Sequence, residues 1–291
     1  HHPVTDDKLM VRDKGSHRRV CYFGQISPPK DVSVLYLVGG DKRIATWWDE
    51  AVRETLTEIE GVTLTRVRRG GLNEDRTTGS MIAAIVTHDA SRALDPQLHT
   101  HMCIMNLTFD PVEQRWKGVQ PSAYFRHQGY FREVCYNRLA CSLLAAGYEL
   151  ELVRGIGFNV KGVPPELRSR FSKRRRTIME RAAVLGATSQ DALQTLAGQT
   201  RAAKTHSTAK DLRSGWLQET GTELPALRRV MTLARDSQSS PDVISSEATI
   251  KAAEAHVFER RSVVDEHVLL REALLMERGK VSLKNLKVSL D

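Results

Sequence analysis

The sequence predicts an α+β fold built on an antiparallel sheet. Strand-like and helix-like segments follow one another without the regular βαβ alternation of parallel-sheet proteins. The apolar, β-branched run 81–87 is separated by the turn signal Asp95-Pro96 from a second strand-like segment, 99–108, a spacing that suits antiparallel neighbours. At 291 residues and 41% hydrophobic content, the chain has ample material for a core.

Residues 1–19 read as a polar, extended lead-in, and 19–26 alternates like a strand. Residues 31–38 are ambiguous, because their valines favour a strand whereas Pro29 can open a helix. Gly39-Gly40-Asp41 then forms a turn with Asp41 as helix N-cap. Ile44, Trp48, Val52, Leu56 and Ile59 recur at helical spacing, so their face should be core, with Trp47 and Trp48 as packing residues, and Gly61 ends the helix. Residues 62–67 and 81–87 read as the arms of a hairpin joined by a long charged loop, 68–76. In and beside that loop Arg66, Arg68, Arg69 and Arg76 are either phosphate contacts or solvated arginines. After the 99–108 strand, residues 114–117 lead into another hairpin-like turn. Phe131, Cys135, Leu139, Ser142 and Ala146 mark one face of a helix running from about Ser122 to Gly147, and 148–153 with 157–160 form a second short strand pair.

Residues 177–233 are predominantly helical by pattern, with Lys204 in one basic stretch and Lys210 to Arg213 in another. Residues 236–243, rich in Ser, Pro and Asp, form the clearest linker. The domain reading is therefore a main domain over 1–235 and a small helical appendage over 244–291.

With 43 Lys and Arg against 35 Asp and Glu the net charge is +8, which suits a polyanionic partner. Charge is densest at 168–176, where six basic residues, Lys173, Arg174 and Arg175 among them, occur without an acid. Phosphates would relieve the repulsion in such a run, so a DNA contact is favoured over a merely solvated face. Four cysteines without close pairing indicate reduced thiols, and no apolar run approaches the ~20 residues needed to span a bilayer. Cytoplasmic localisation without membrane insertion is expected.

The chemistry concentrates between residues 88 and 101. Side chains alternate across a strand, so His99 and His101 share one face, and an antiparallel neighbour ending at His88 would bring a third imidazole to them. Three neutral imidazoles suit a divalent ion and leave positions for water or a substrate oxygen, whereas three hydrogen-bonded histidines at a polar strand end need no ion. Asp89 and Asp95 are candidate partners for the ring N–H groups, with a turn role open for Asp95.

The run His-x-x-Ser-Arg-x-x-x-Pro-Gln-Leu-His-Thr-His, with the blocks Ser27 to Ser33, Gly39 to Arg43 and Thr77 to Ser80, closely resembles conjugative relaxases of the TraI/TrwC (MobF) type, which are HUH endonucleases. The resemblance tips 31–38 toward helix. It implies a central antiparallel palm sheet flanked by helices, with a mostly helical fingers region. It also implies site- and strand-specific nicking of single-stranded DNA at an origin of transfer, by attack of a tyrosine hydroxyl on phosphorus, for plasmid mobilisation or conjugation. His88, His99 and His101 would hold the metal, Mg or Mn foremost and Zn as a further option, and Arg92 would contact phosphate or base. Relaxosome and type IV secretion coupling proteins are the implied protein partners.

Two departures bear on catalysis. The family's nucleophilic tyrosines lie near the amino terminus, but the first tyrosine here is Tyr22, so no nucleophile is identified and the chain as given is expected to be inactive in cleavage. Many relatives carry an acid shortly before the Ser-x-Pro-Lys block, where this chain has Phe23. Residues 244–291 weakly resemble the stretch leading into a relaxase's helicase region. Two other classes remain: a noncatalytic single-stranded-DNA-binding module of the same fold, and an unrelated three-histidine metalloenzyme.

Overall fold

The computed structural model describes residues 19–153, 157–200, 207–237 and 244–290. Lys204, the lead-in before residue 19 and most of the 236–243 linker therefore lie outside the described residues.

Strand β1 (Cys21–Ile26) runs into a short helix α1 (Lys30–Val34), which continues as one wide π-helical turn over Leu35–Gly39. Gly40, with φ of +87°, ends that turn in a left-handed conformation that a side chain would oppose. Helix α2 (Arg43–Gly61) buries Ile44, Trp48, Val52 and Ile59, the periodic face expected from the sequence. The N-cap position falls on Lys42, one residue after the expected Asp41, and carries no side-chain cap; Asp41 accepts the Arg43 N–H at 3.2 Å and the Tyr148 hydroxyl at 2.6 Å, tying the helix start to a distant segment.

The next elements depart from the expected hairpin. Strand β2 (Leu64–Arg69) pairs with β3 (Leu72–Thr77), the segment read as a loop, whereas β4 (Ala83–Ala90) pairs with β5 (Pro96–Met105). Gly70 and Gly71 both have positive φ, at +55° and +81°, which closes a tight two-residue turn. β3 is almost wholly exposed and so lacks the apolar alternation that announces a strand.

Strands β6 (Thr108–Asp110) and β7 (Arg115–Lys117) form a small hairpin, and β8 (Val119–Gln120) joins the far edge of β2. The long helix expected over 122–147 is broken at His127 into α3 (Ser122–Arg126) and α4 (Gln128–Ala145). β9 (Leu150–Val153) and β10 (Gly157–Val160) pair as expected. Helices α5 (Pro165–Arg170), α6 (Lys173–Leu185), α7 (Gln190–Gln199), α8 (Ala209–Thr220) and α9 (Leu224–Asp236) make the helical region, followed by α10 (Ser246–Phe258), α11 (Glu266–Met276) and α12 (Leu283–Leu290). No helix among the described residues is long and apolar enough to cross a membrane.

The sheet that positions the site has the order β1-β5-β4, all antiparallel. Its back face supplies Leu98 to one core, with α2, α4 and α9, and Met102 and Ile104 to a second core, with α4, α10, α11 and α12. The C-terminal helices thus share a core with the sheet. Buried polar contacts reinforce the junction: Asn137 of α4 donates to the Val281 carbonyl at 2.8 Å and accepts the Gly279 N–H at 2.7 Å, while Arg278 pairs with Glu133 of α4. Glu133 and Arg278 are 1% and 4% exposed, so removing Glu133 strands Arg278 in the interior, and removing Arg278 leaves Glu133 only the more exposed Arg132. Arg278→Met should cost about 3–5 kcal/mol in urea denaturation. Glu133→Leu together with Arg278→Met should recover most of that loss; equal instability of single and double variants would show that charge stranding is not the cause.

Candidate functional site: a three-histidine face

β5 is a two-sided strand. Leu98, Thr100, Met102 and Ile104 are buried behind the sheet, whereas His99, His101 and Cys103 alternate onto the front. Thr100 fixes the back, accepting the Trp48 indole N–H at 2.9 Å across the buried interface with α2. In register, His88 of β4 lies directly opposite His99, and Val86 opposite His101, so all three histidines project from one face. Their ring centroids are 5.3 Å (His88–His99), 5.4 Å (His88–His101) and 5.0 Å (His99–His101) apart.

These spacings approach those of a shared ion, but the three rings do not bring one donor nitrogen each within 4.8 Å of the other two, so side-chain rotation is needed to close the set. Imidazole nitrogens about 2.0–2.1 Å from a shared metal put their ring centroids roughly 4.5–5.3 Å apart. Burial, followed by repulsion from neighbouring imidazoles, lowers the pKa of His99 despite its hydrogen bond to Gln97; burial and His88 lower that of His101. Both rings therefore favour the neutral, ligating form. His99 Nδ1 lies 2.9 Å from the Gln97 carbonyl, an acceptor only, so Nδ1 carries the proton and Nε2 keeps its lone pair for the cluster.

Gln97 thus does for His99 what the sequence assigned to Asp95. Asp95 is committed elsewhere: its carboxylate accepts the Lys173 backbone N–H at 2.9 Å, and no histidine contact is involved. Asp89 acts on His99 only as a nearby negative charge. Ser91 organises the connecting turn, its hydroxyl accepting the N–H groups of Ala93 and Asp95, and Trp216 of α8 donates to the Leu94 carbonyl at 2.7 Å. The motif's non-histidine residues shape the turn that sets the register. Arg92 is exposed on that turn.

The front face is open. Phe23 and Gln25 of β1 stand in the same row, opposite Cys103 and His101, and Phe23 is 80% exposed, as is 53% of Val86. Tyr22 projects from the other side of β1, opposite Ile104, and packs edge-on against Tyr124. Among the arginines proposed from the hairpin, Arg76 is held by Asp110 at 2.8 Å and Arg68 by Asn73 at 3.1 Å, while Arg66 and Arg69 are exposed. The basic run is not one free face either. Arg168 pairs with buried Asp31 at 2.7 Å, Arg170 with Glu223 at 2.7 Å and Lys173 with Glu219 at 2.8 Å, and Arg174 donates to the Ala197 carbonyl at 2.6 Å. Arg175 and Arg176 remain exposed.

A sheet face bearing three neighbouring histidines, on a strand pair whose connecting turn is braced by the helical region, is the arrangement that the likeness to conjugative relaxases implies. Residues 1–222 match the family model described as TrwC relaxase, and the chain belongs to that family. The multifunctional conjugation protein TraI of Escherichia coli K12 is 32% identical over 263 residues, which cover 83% of this chain but only 15% of that relative. A metal-bound structure of the relaxase TrwC with oriT DNA superposes with a TM-score of 0.68 at 29% identity, covering 74% of this chain and 76% of that one. A copper-bound TrwC–oriT complex gives 0.67 at 30% identity, covering 72% of each chain.

Sequence reasoning gave no role to Lys30 of the Ser-x-Pro-Lys block. It donates to the Pro96 carbonyl at 3.0 Å, joining that block to the start of β5. Burial pushes its pKa down to about 8, against attraction from Asp95. An unfolded lysine titrates near 10.4. Between about pH 8 and 10 the unfolded state therefore binds more protons than the native state, and stability rises with pH by up to about 1.4 kcal/mol per unit. Lys30→Met should remove this component, read as a urea midpoint that rises less steeply with pH across that window than that of the unsubstituted chain.

Proposed function

We propose that this chain is the DNA-nicking relaxase domain of a conjugative or mobilisation protein, acting on single-stranded DNA at an origin of transfer. The observation that carries the reading is the convergence of His88, His99 and His101 on one open sheet face in a member of the TrwC family. A divalent ion bound there would neutralise charge on a non-bridging phosphate oxygen. The protein's contribution is positional. Gln97 fixes the His99 tautomer, burial favours the neutral, ligating form of His99 and His101, and the exposed row of Phe23 and Gln25 leaves room for a strand along the sheet. Nitrogen donors suit a zinc-class ion better than magnesium or manganese, which prefer oxygen. By family likeness, relaxosome components and a secretion coupling protein are the proposed partners, and the cytoplasm the proposed compartment. An unrelated small-molecule metalloenzyme no longer fits a chain of this family.

The attacking tyrosine is not Tyr22. Sheet register puts its ring on the face opposite the histidines, so a phosphate held by the triad lies across the sheet from it. A noncatalytic single-stranded-DNA-binding module is the second reading, and this placement of Tyr22 is the observation in its favour.

Calorimetry should show that His99→Ala weakens metal binding at the triad by at least about tenfold. A labelled oligonucleotide spanning an origin nick site, incubated with zinc, manganese or magnesium and run on a denaturing gel, reports cleavage and covalent adduct. In the full-length protein, His99→Ala should lose both and Tyr22→Phe neither. An adduct abolished by Tyr22→Phe would overturn the face assignment, and metal-independent DNA binding without cleavage would establish the second reading.

For the basic surface, Arg175 and Arg176 are the proposed phosphate contacts, since their neighbours in the run are tied to protein. Replacing both with Ala should flatten the salt dependence of single-stranded-DNA affinity by about 0.7 for each phosphate no longer neutralised. An unchanged slope would show a solvated face.

A further inference from the structure

We propose that His127, Asp265 and His267 form a second divalent-metal site, of zinc class, which fastens the C-terminal helices to the break between α3 and α4. These residues lie outside the histidine motif, on helices packed behind the sheet.

His127 sits at the break between α3 and α4 and is only 7% exposed. Asp265 caps α11: its Oδ1 accepts the His267 N–H at 2.9 Å and lies 2.6 Å from His267 Nδ1. Its Oδ2 faces His127 Nε2 at 3.8 Å, beyond hydrogen-bond range. The two imidazole rings lie 4.3 Å apart, and one donor atom from each of the three residues falls within 4.8 Å of the other two. Donors bound 2.0–2.2 Å from one tetrahedral ion stand roughly 3.4 Å apart, and the rings now lie 32° from parallel and slightly closer than two imidazoles on a shared ion, so one ring must turn to close the set.

Two imidazoles and one carboxylate select a zinc-class ion over magnesium or calcium, which take oxygen donors. Three protein ligands leave a position for water, and the Asp265 and His267 side chains are 40% and 24% exposed on the approach side. Tyr130 packs edge-on against His267 at 4.9 Å and walls the site on one side. The ligands come from two segments far apart in sequence, so an ion bound only by the folded chain would cross-link them and favour the native state.

The test uses the chain carrying His88→Ala, His99→Ala and His101→Ala, so that the front-face triad contributes nothing. Zinc is titrated by calorimetry and cobalt(II) by its visible absorption. The expected result is one ion per chain, with the strong absorption of a tetrahedral cobalt centre and a zinc-dependent rise in melting temperature. Adding His267→Ala should lower zinc affinity at least about tenfold and abolish the melting shift. Asp265→Asn retains a capping side chain and should weaken binding without unfolding α11, so the test stands even where His127→Ala fails to fold. A triad-free chain that binds no zinc, or whose zinc affinity survives both His267→Ala and Asp265→Asn, would overturn the proposal.

Discussion

The β4–β5 register is the constraint on which the site depends. Pairing His88 with His99 puts three imidazoles on one face only because β5 alternates without interruption from Leu98 to Ile104, with its apolar residues committed to the helices behind. A slip of one residue would send His99 and His101 into the core and Leu98 and Thr100 to solvent. The buried Trp48–Thr100 hydrogen bond opposes such a slip, because a displaced Thr100 would leave the indole N–H unpaired in the interior. Core packing and the spacing of the histidines are therefore enforced by the same strand, from its two sides.

That double duty explains what was legible in the sequence. A strand that must be apolar on one face and chemically specialised on the other displays both facts in its residues, and α2 likewise shows its buried face through Ile44, Trp48, Val52 and Ile59. The β2–β3 hairpin was not legible. β3 buries little, so nothing in its composition marks it as a strand, and only the Gly70-Gly71 pair hinted at the turn. The break at His127 was equally silent, because the apolar spacing continues through it.

The basic run illustrates a different limit. Six adjacent positive charges look like one electrostatic surface, yet their partners lie far away in the chain: Asp31 for Arg168, Glu223 for Arg170, and Asp95 with Glu219 for Lys173. Local sequence cannot show which charges folding will pair. Arg168 reaches an aspartate that is wholly buried and also accepts the Val160 N–H, so its guanidinium compensates an interior charge and is not available to a ligand. Much of the apparent DNA-binding cluster ties α5 and α6 to α1, α7 and α8 and to the turn before β5.

This use of charge joins the helical region to the histidine motif. Asp95 closes the Ser91 turn through its backbone, while its carboxylate receives the first N–H of α6 and the Lys173 ammonium. Trp216 donates to Leu94 on the same turn, and Lys30 to Pro96 just beyond it. α1, α6 and α8 therefore all bear on the turn that connects His88 to His99. A displacement of those helices by a bound strand would be felt first at this turn, and through it at the spacing of the imidazoles. Asp95, read from the sequence either as a partner for a histidine ring or as a turn residue, takes the second part and holds the turn that brings the rings together.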